Sequence, residues 1–180
     1  MNVFVIFAPG LGGNHLANMI STDPRFHTRT YLNDYLESNR TDAHFSSFKN
    51  LGNLDELEQT DNNVLCGHFG QLLWINLNIY KPIQAVIVKL PEDKQHFAYK
   101  RFIDKATLND YFVEEQRSLY DGILIEKITG IHDLHYVRAE DIFSATAPVK
   151  LLQEMNYQID TEMCSIMHNC WLEKISQNIK

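Results

Sequence analysis

Asn2-Val-Phe-Val-Ile-Phe-Ala-Pro-Gly-Leu-Gly-Gly-Asn-His-Leu-Ala-Asn-Met-Ile20 is the stretch whose reading decides the fold. Val3 to Phe7 are consecutive β-branched or aromatic residues, the pattern of a short buried strand. Pro9, Gly10, Gly12 and Gly13 break it, and Leu16, Met19 and Ile20 then recur at helical spacing until Asp23-Pro24. A strand, a glycine-rich turn and a helix in that order make an anion site. The turn lets backbone N–H groups converge, and the helix N-terminus adds about half a positive charge. A phosphate or sulfate suits such a cradle. No Gly-Lys-Ser/Thr follows the glycines, so this is not the Walker A pattern, and His15 stands where the dinucleotide fingerprint needs its third glycine. The bland alternative is a tight turn whose glycines serve packing alone.

The rest of the chain narrows the class. Its 180 residues fit one domain, with 44% apolar and 22% charged residues, an ordinary globular composition. A net charge of −7 argues against a general nucleic-acid binder, which needs a basic face. Cys66, Cys164 and Cys170 are odd in number and form no CxxC, as in a reduced intracellular protein. No apolar run approaches the roughly eighteen residues of a membrane span. The strand begins at once without a basic leader, so no secretory signal is visible and the cytoplasm is the expected compartment.

Residues 22–61 are polar and loop-rich, with short helical patterns at Leu32–Leu36 and Leu51–Leu57. A weakly structured insertion of this length reads as a lid, a substrate-binding excursion or a surface loop without a role. Further strands are expected at Asn63–Phe69, Gln84–Leu90 and His132–Arg138. The middle one lacks alternation, as in the centre of a parallel sheet. Leu72 to Ile79 reads as a buried helix, and Pro91 as the first residue of another. Thr107-Leu-Asn-Asp110 opens a third helical pattern, Glu140 to Phe143 and Pro148 to Met155 form short ones, and Asp160 to Asn178 forms the last. Met163, Ile166, Met167, Cys170, Trp171 and Ile175 are its expected core stripe. Strands alternating with helices imply βαβ units and a mainly parallel sheet. The segment Pro9–Asn14, His68, Lys89 and Arg138 each follow the apolar part of a strand, so all are expected on the carboxyl rim, where such sheets bind ligands.

Four segments in order resemble the sulfotransferases, a family with a three-layer α/β/α fold of P-loop type that uses 3′-phosphoadenosine 5′-phosphosulfate (PAPS). Pro9-Gly-Leu-Gly-Gly-Asn-His15 stands in the place of the family's Pro-Lys-Ser-Gly-Thr loop, and Cys66-Gly-His68 in that of Lys-Thr-His. Val88-Lys-Leu-Pro-Glu-Asp93 is similar to Val-Arg-Asn-Pro-x-Asp, and Val137-Arg-Ala-Glu-Asp-Ile142 to Val-Arg-Tyr-Glu-Asp-Leu. The loop lysine is replaced by Gly10 or Leu11, and the lysine before the catalytic His by Cys66. The serine that accompanies the 3′-phosphate arginine would fall near Phe97 or Ala98.

The resemblance implies sulfuryl transfer from PAPS to a hydroxyl of a carbohydrate or small molecule, without metal. Pro9, Gly10, Leu11, Gly12, Gly13 and Asn14 would then cradle the donor, and Lys89 would hold the 3′-phosphate. His68 would be the base, and His15 a cationic stand-in for the missing lysine, with Arg25 and Arg29 as other substitutes. Arg138, Glu140 and Asp141 would be structural. Whether the chain is an enzyme stays open, since a nucleotide- or anion-binding domain without catalysis needs only the cradle. A kinase would need a Walker lysine and a magnesium-holding Ser/Thr at the loop. Cys66 and His68 could form a nucleophilic dyad. His132 and His135 point to opposite strand faces, which disfavours zinc.

Overall fold

The computed structural model describes residues 1–37, 49–50, 59, 61–72, 76–106, 126–127 and 130–177. The strands are β1 (Asn2–Ile6), β2 (Lys49–Asn50), β3 (Val64–Gly67), β4 (Pro82–Lys89) and β5 (Asp133–Arg138). They form one sheet in the order β2-β3-β1-β4-β5, and every neighbouring pair is parallel. The helices are α1 (Gly13–Ile20), α2 (Leu32–Glu37), α3 (Phe69–Leu72), α4 (Leu77–Tyr80), α5 (Phe97–Ala106), α6 (Ala139–Ile142), α7 (Ala147–Glu154) and α8 (Thr161–Gln177). No helix among the described residues is long and apolar enough to cross a membrane.

The centre of the sheet follows from its side chains. Val3 to Ile6 are fully buried, so both faces of β1 are covered, and Ala85 to Val88 of β4 are equally closed. That is why these strands read as unbroken apolar runs. Register partners share a face: Val5 lies beside Cys66 on one side and Val86 on the other. Helix α1 covers this face, and α8 packs outside it. From β1 the chain leaves toward β2 on one side, whereas β4 leads to β5 on the other. The connections leaving β1 and β4 therefore run to opposite sides, which makes their carboxyl ends the switch point of the sheet.

Three sequence expectations are corrected. Pro91 does not begin a helix. A turn closed by His96 N–H to the Asp93 carbonyl intervenes, and α5 starts at Phe97, where His96 Nδ1 accepts the Ala98 amide. Ile79 is 49% exposed instead of buried, because the helix there is one turn long. On α8 the buried stripe is Cys164, Met167, His168, Trp171 and Ile175, and Ile166 faces outward. The patterns at 51–57 and 107–119 lie outside the described residues.

Candidate functional site

The loop after β1 is shaped by close approach from three directions. Gly10 and Gly12 hold φ of +84° and +77°, the left-handed region that favours glycine. A Cβ on Gly10 would lie 2.9 Å from the Arg101 carbonyl oxygen of α5. On Gly12 it would lie 2.9 Å from the Trp171 ring, and on Gly13 only 2.0 Å from the Phe7 ring. Each of these glycines thus has a packing reason. Leu11, whose amide donates to the Ala8 carbonyl at 3.3 Å, is fully buried, whereas Pro9 is half-buried at the surface.

Helix α1 starts without a side-chain cap and without an acidic residue in its first turn. Its ladder begins where Leu16 N–H donates to the Gly12 carbonyl at 3.0 Å. The amides just ahead of it therefore precede the ladder, and nothing in the first turn opposes the positive end of the dipole. Asn14 turns its side chain to the sheet, where its Oδ1 accepts the Cys66 thiol at 3.2 Å. Burial pushes the Cys66 thiol well up. Cys66 bonds to Asn14 and not to His68, so the two form no dyad.

His68 stands at the carboxyl end of β3 with its ring edge-on to Phe7, centroids 5.1 Å apart. Its Nδ1 lies 2.8 Å from the Phe7 carbonyl oxygen, and its amide donates to Gln71 Oε1 at 2.7 Å. A carbonyl only accepts, so Nδ1 carries the proton and the neutral ring keeps its lone pair on Nε2. The residue is exposed. A histidine held in this tautomer on an exposed rim has a ring nitrogen able to accept a proton.

The other expected groups are placed differently. His15 does not serve the loop as a cation, because it is fully buried. Its Nδ1 meets Tyr35 Oη at 2.7 Å, its Nε2 meets His168 Nδ1 at 2.9 Å, and its ring stacks on Trp171 at 4.2 Å. Burial first, then the neighbouring His168, holds it well below the usual imidazole range. Lys89 is on the expected rim, but its ammonium rests 4.5 Å above the Tyr136 ring of β5, on the side away from β1. Arg25 and Arg29 lie near the opposite rim. Arg25 chelates buried Asp23, and Arg29 donates to the Pro24 carbonyl. The adjacent Thr28 caps the amide that starts β3.

Arg138 pairs with Asp141 at 2.6 Å, and Glu140 accepts the Glu92 amide at 2.9 Å, which ties the segment after β4 to α6. His132 meets Glu126, while His135 meets Asp133 and Gln84. Sequence reasoning assigned no role to His168 or Tyr35. His168 sits four residues after Cys164 and three before Trp171, at the spacing of the core stripe, and that spacing was the available cue.

No protein-family model, no curated protein and no solved structure matches this chain. The class that fold and site define is a parallel α/β domain with a glycine-turned loop and an exposed histidine on one rim.

Proposed function

We propose that the loop from Pro9 to Asn14 binds the phosphate–sulfate end of PAPS and that the protein transfers its sulfuryl group to a hydroxyl of a carbohydrate or small molecule. The observation that carries this reading is His68: its Nδ1–H is committed to the Phe7 carbonyl, which leaves the Nε2 lone pair of an exposed residue beside the loop. The strand order supports it, because β1 ends at the switch point of the sheet. So do the four segments that resemble the sulfotransferases in sequence order.

PAPS would supply the activated sulfuryl group. The amides at the start of α1, ahead of its hydrogen-bond ladder, hold its oxygens, and His68 Nε2 accepts the proton of the attacking hydroxyl. The acceptor's oxygen bonds to sulfur as the sulfur–phosphate oxygen bond breaks, and 3′-phosphoadenosine 5′-phosphate leaves. Lys89 meets the 3′-phosphate after its ammonium leaves Tyr136, a displacement of one flexible side chain.

A second reading, an anion-binding domain without catalysis, is favoured by a specific observation. The loop carries no lysine, Leu11 is buried, and Asn14 and His15 both turn into the core. The loop therefore brings no charged side chain to a transferring group and offers an anion only backbone amides ahead of the α1 ladder. Thermal-shift titration with 3′-phosphoadenosine 5′-phosphate against AMP and Mg-ATP, followed by transfer assays from labelled PAPS, separates the two. A ligand at a hundred times its Kd adds about 2.7 kcal/mol. Selective stabilisation with turnover that His68→Ala lowers by about 10²–10⁴-fold is the expected result. Stabilisation without turnover gives the second reading, preference for Mg-ATP indicates a kinase, and no shift with any nucleotide ends both.

A further inference from the structure

The buried contact between α1 and α8 is a chain of hydrogen bonds with only one neutral polarity. His168 Nε2 lies 2.7 Å from the Ser144 carbonyl oxygen, an acceptor only, so Nε2 carries the proton and Nδ1 keeps the lone pair. His15 Nε2–H must then donate to that lone pair at 2.9 Å, and His15 Nδ1 accepts from Tyr35 Oη–H at 2.7 Å. Three elements, α1, α2 and α8, and the segment after α6 are joined through two rings. Trp171, one turn beyond His168, stacks on His15 and also walls the loop at Gly12.

We propose that the His15–His168 pair is a proton-operated latch on the loop: a proton taken up by either ring parts α8 from α1, draws Trp171 off Gly12 and releases the bound anion. The anion in this statement rests on the function proposed above, whereas the latch itself does not.

The added proton has two places to go. On His168 Nδ1 it faces the His15 Nε2–H, and two donors meet head-on. On His15 Nδ1 it finds the Tyr35 oxygen, which can turn to accept, but a full charge is left in a closed core. The rings meet Tyr35 of α2 and the Ser144 carbonyl, and Cys164 and Cys170 of α8 act in turn on Tyr35. The Trp171 face attracts a cation, but that attraction is smaller than the cost of an unpaired buried ion. Parting the rings hydrates them both. Burial already holds both imidazoles below their usual range, with the Ser144 bond opposing it partly at His168.

The test is long-range ¹H–¹⁵N NMR on histidine-labelled protein from pH 7.5 to 5, read with the Trp171 indole and Gly12 amide signals and with circular dichroism. At pH 7.5 both rings are expected as the Nε2–H tautomer. On acidification the two rings, Trp171 and Gly12 are expected to shift together while helix content persists. Affinity for 3′-phosphoadenosine 5′-phosphate should fall at least tenfold over the same range, and His15→Gln/His168→Gln should flatten that fall. Rings that titrate while Trp171 and Gly12 stay still, or that titrate only as the whole fold is lost, overturn the latch. If the nucleotide does not bind at pH 7.5, the function proposed above fails, and the NMR series still decides the latch.

Discussion

His15 and His68 flank the same loop, and the structure gives them opposite circumstances. His15, two residues into α1, spends both ring nitrogens inside the core and stacks on Trp171. His68, at the end of β3, spends one nitrogen on a backbone carbonyl and presents the other at the surface. Both would look alike as polar residues beside a glycine-rich turn. Chemistry is left to the one whose partner fixes the tautomer without closing the ring off. The core side of α1 is where stability resides, and the rim is where a ligand can be met.

Substitutions should separate the two sides by size of effect. Trp171→Ala removes the ring that touches Gly12, His15 and Phe143, and is expected to cost about 3–5 kcal/mol in denaturant unfolding. Gly13→Ala drives a methyl group to 2.0 Å from the Phe7 ring, with an expected loss of about 1–3 kcal/mol or more. A wild-type stability at Gly13→Ala would contradict the loop geometry.

Acid should act on the core side. The folded pKa values of His15 and His168 are lowered, so the unfolded chain binds more protons as pH drops below the ordinary value of 6.5. Stability is therefore present above that pH and is lost as pH falls toward the folded values. The slope is at most about 1.4 kcal/mol per pH unit for each ring. Unfolding midpoints measured between pH 7.5 and 5 check this, and His168→Gln should make the slope shallower. The smallest effect on stability belongs to His68→Ala, expected within about 0.5 kcal/mol of wild type. The same variant should lower sulfuryl transfer by about 10²–10⁴-fold. A large loss of stability there would make His68 a second core histidine and erase the contrast.

The framework was legible because its strands are written in consecutive buried residues. Val3 to Ile6 and Ala85 to Val88 are closed on both faces, and Val64 to Gly67 of β3 is buried throughout as well. The two-residue strand β2 was missed, since Lys49-Asn50 carries no pattern of its own and is defined by its pairing with Leu65 and Cys66. The rim placement of His68 and Lys89 followed from their positions at strand ends. Their side-chain directions did not, because the Phe7 carbonyl and the Tyr136 ring are supplied by neighbouring strands. His15 was misread for a similar reason. Its partners Tyr35 and His168 lie 20 and 153 residues away, and nothing local to the loop announces them.

The most direct test of the central claim is an NMR titration of ¹⁵N-labelled protein with 3′-phosphoadenosine 5′-phosphate at pH 7.5. The expected result is saturable movement of the Gly12 and Gly13 amides and of His68 Nε2, with the His15 and His168 rings unmoved. Saturable binding that leaves Gly12 and Gly13 still, or no binding at all, would contradict the assignment of this loop as the anion site.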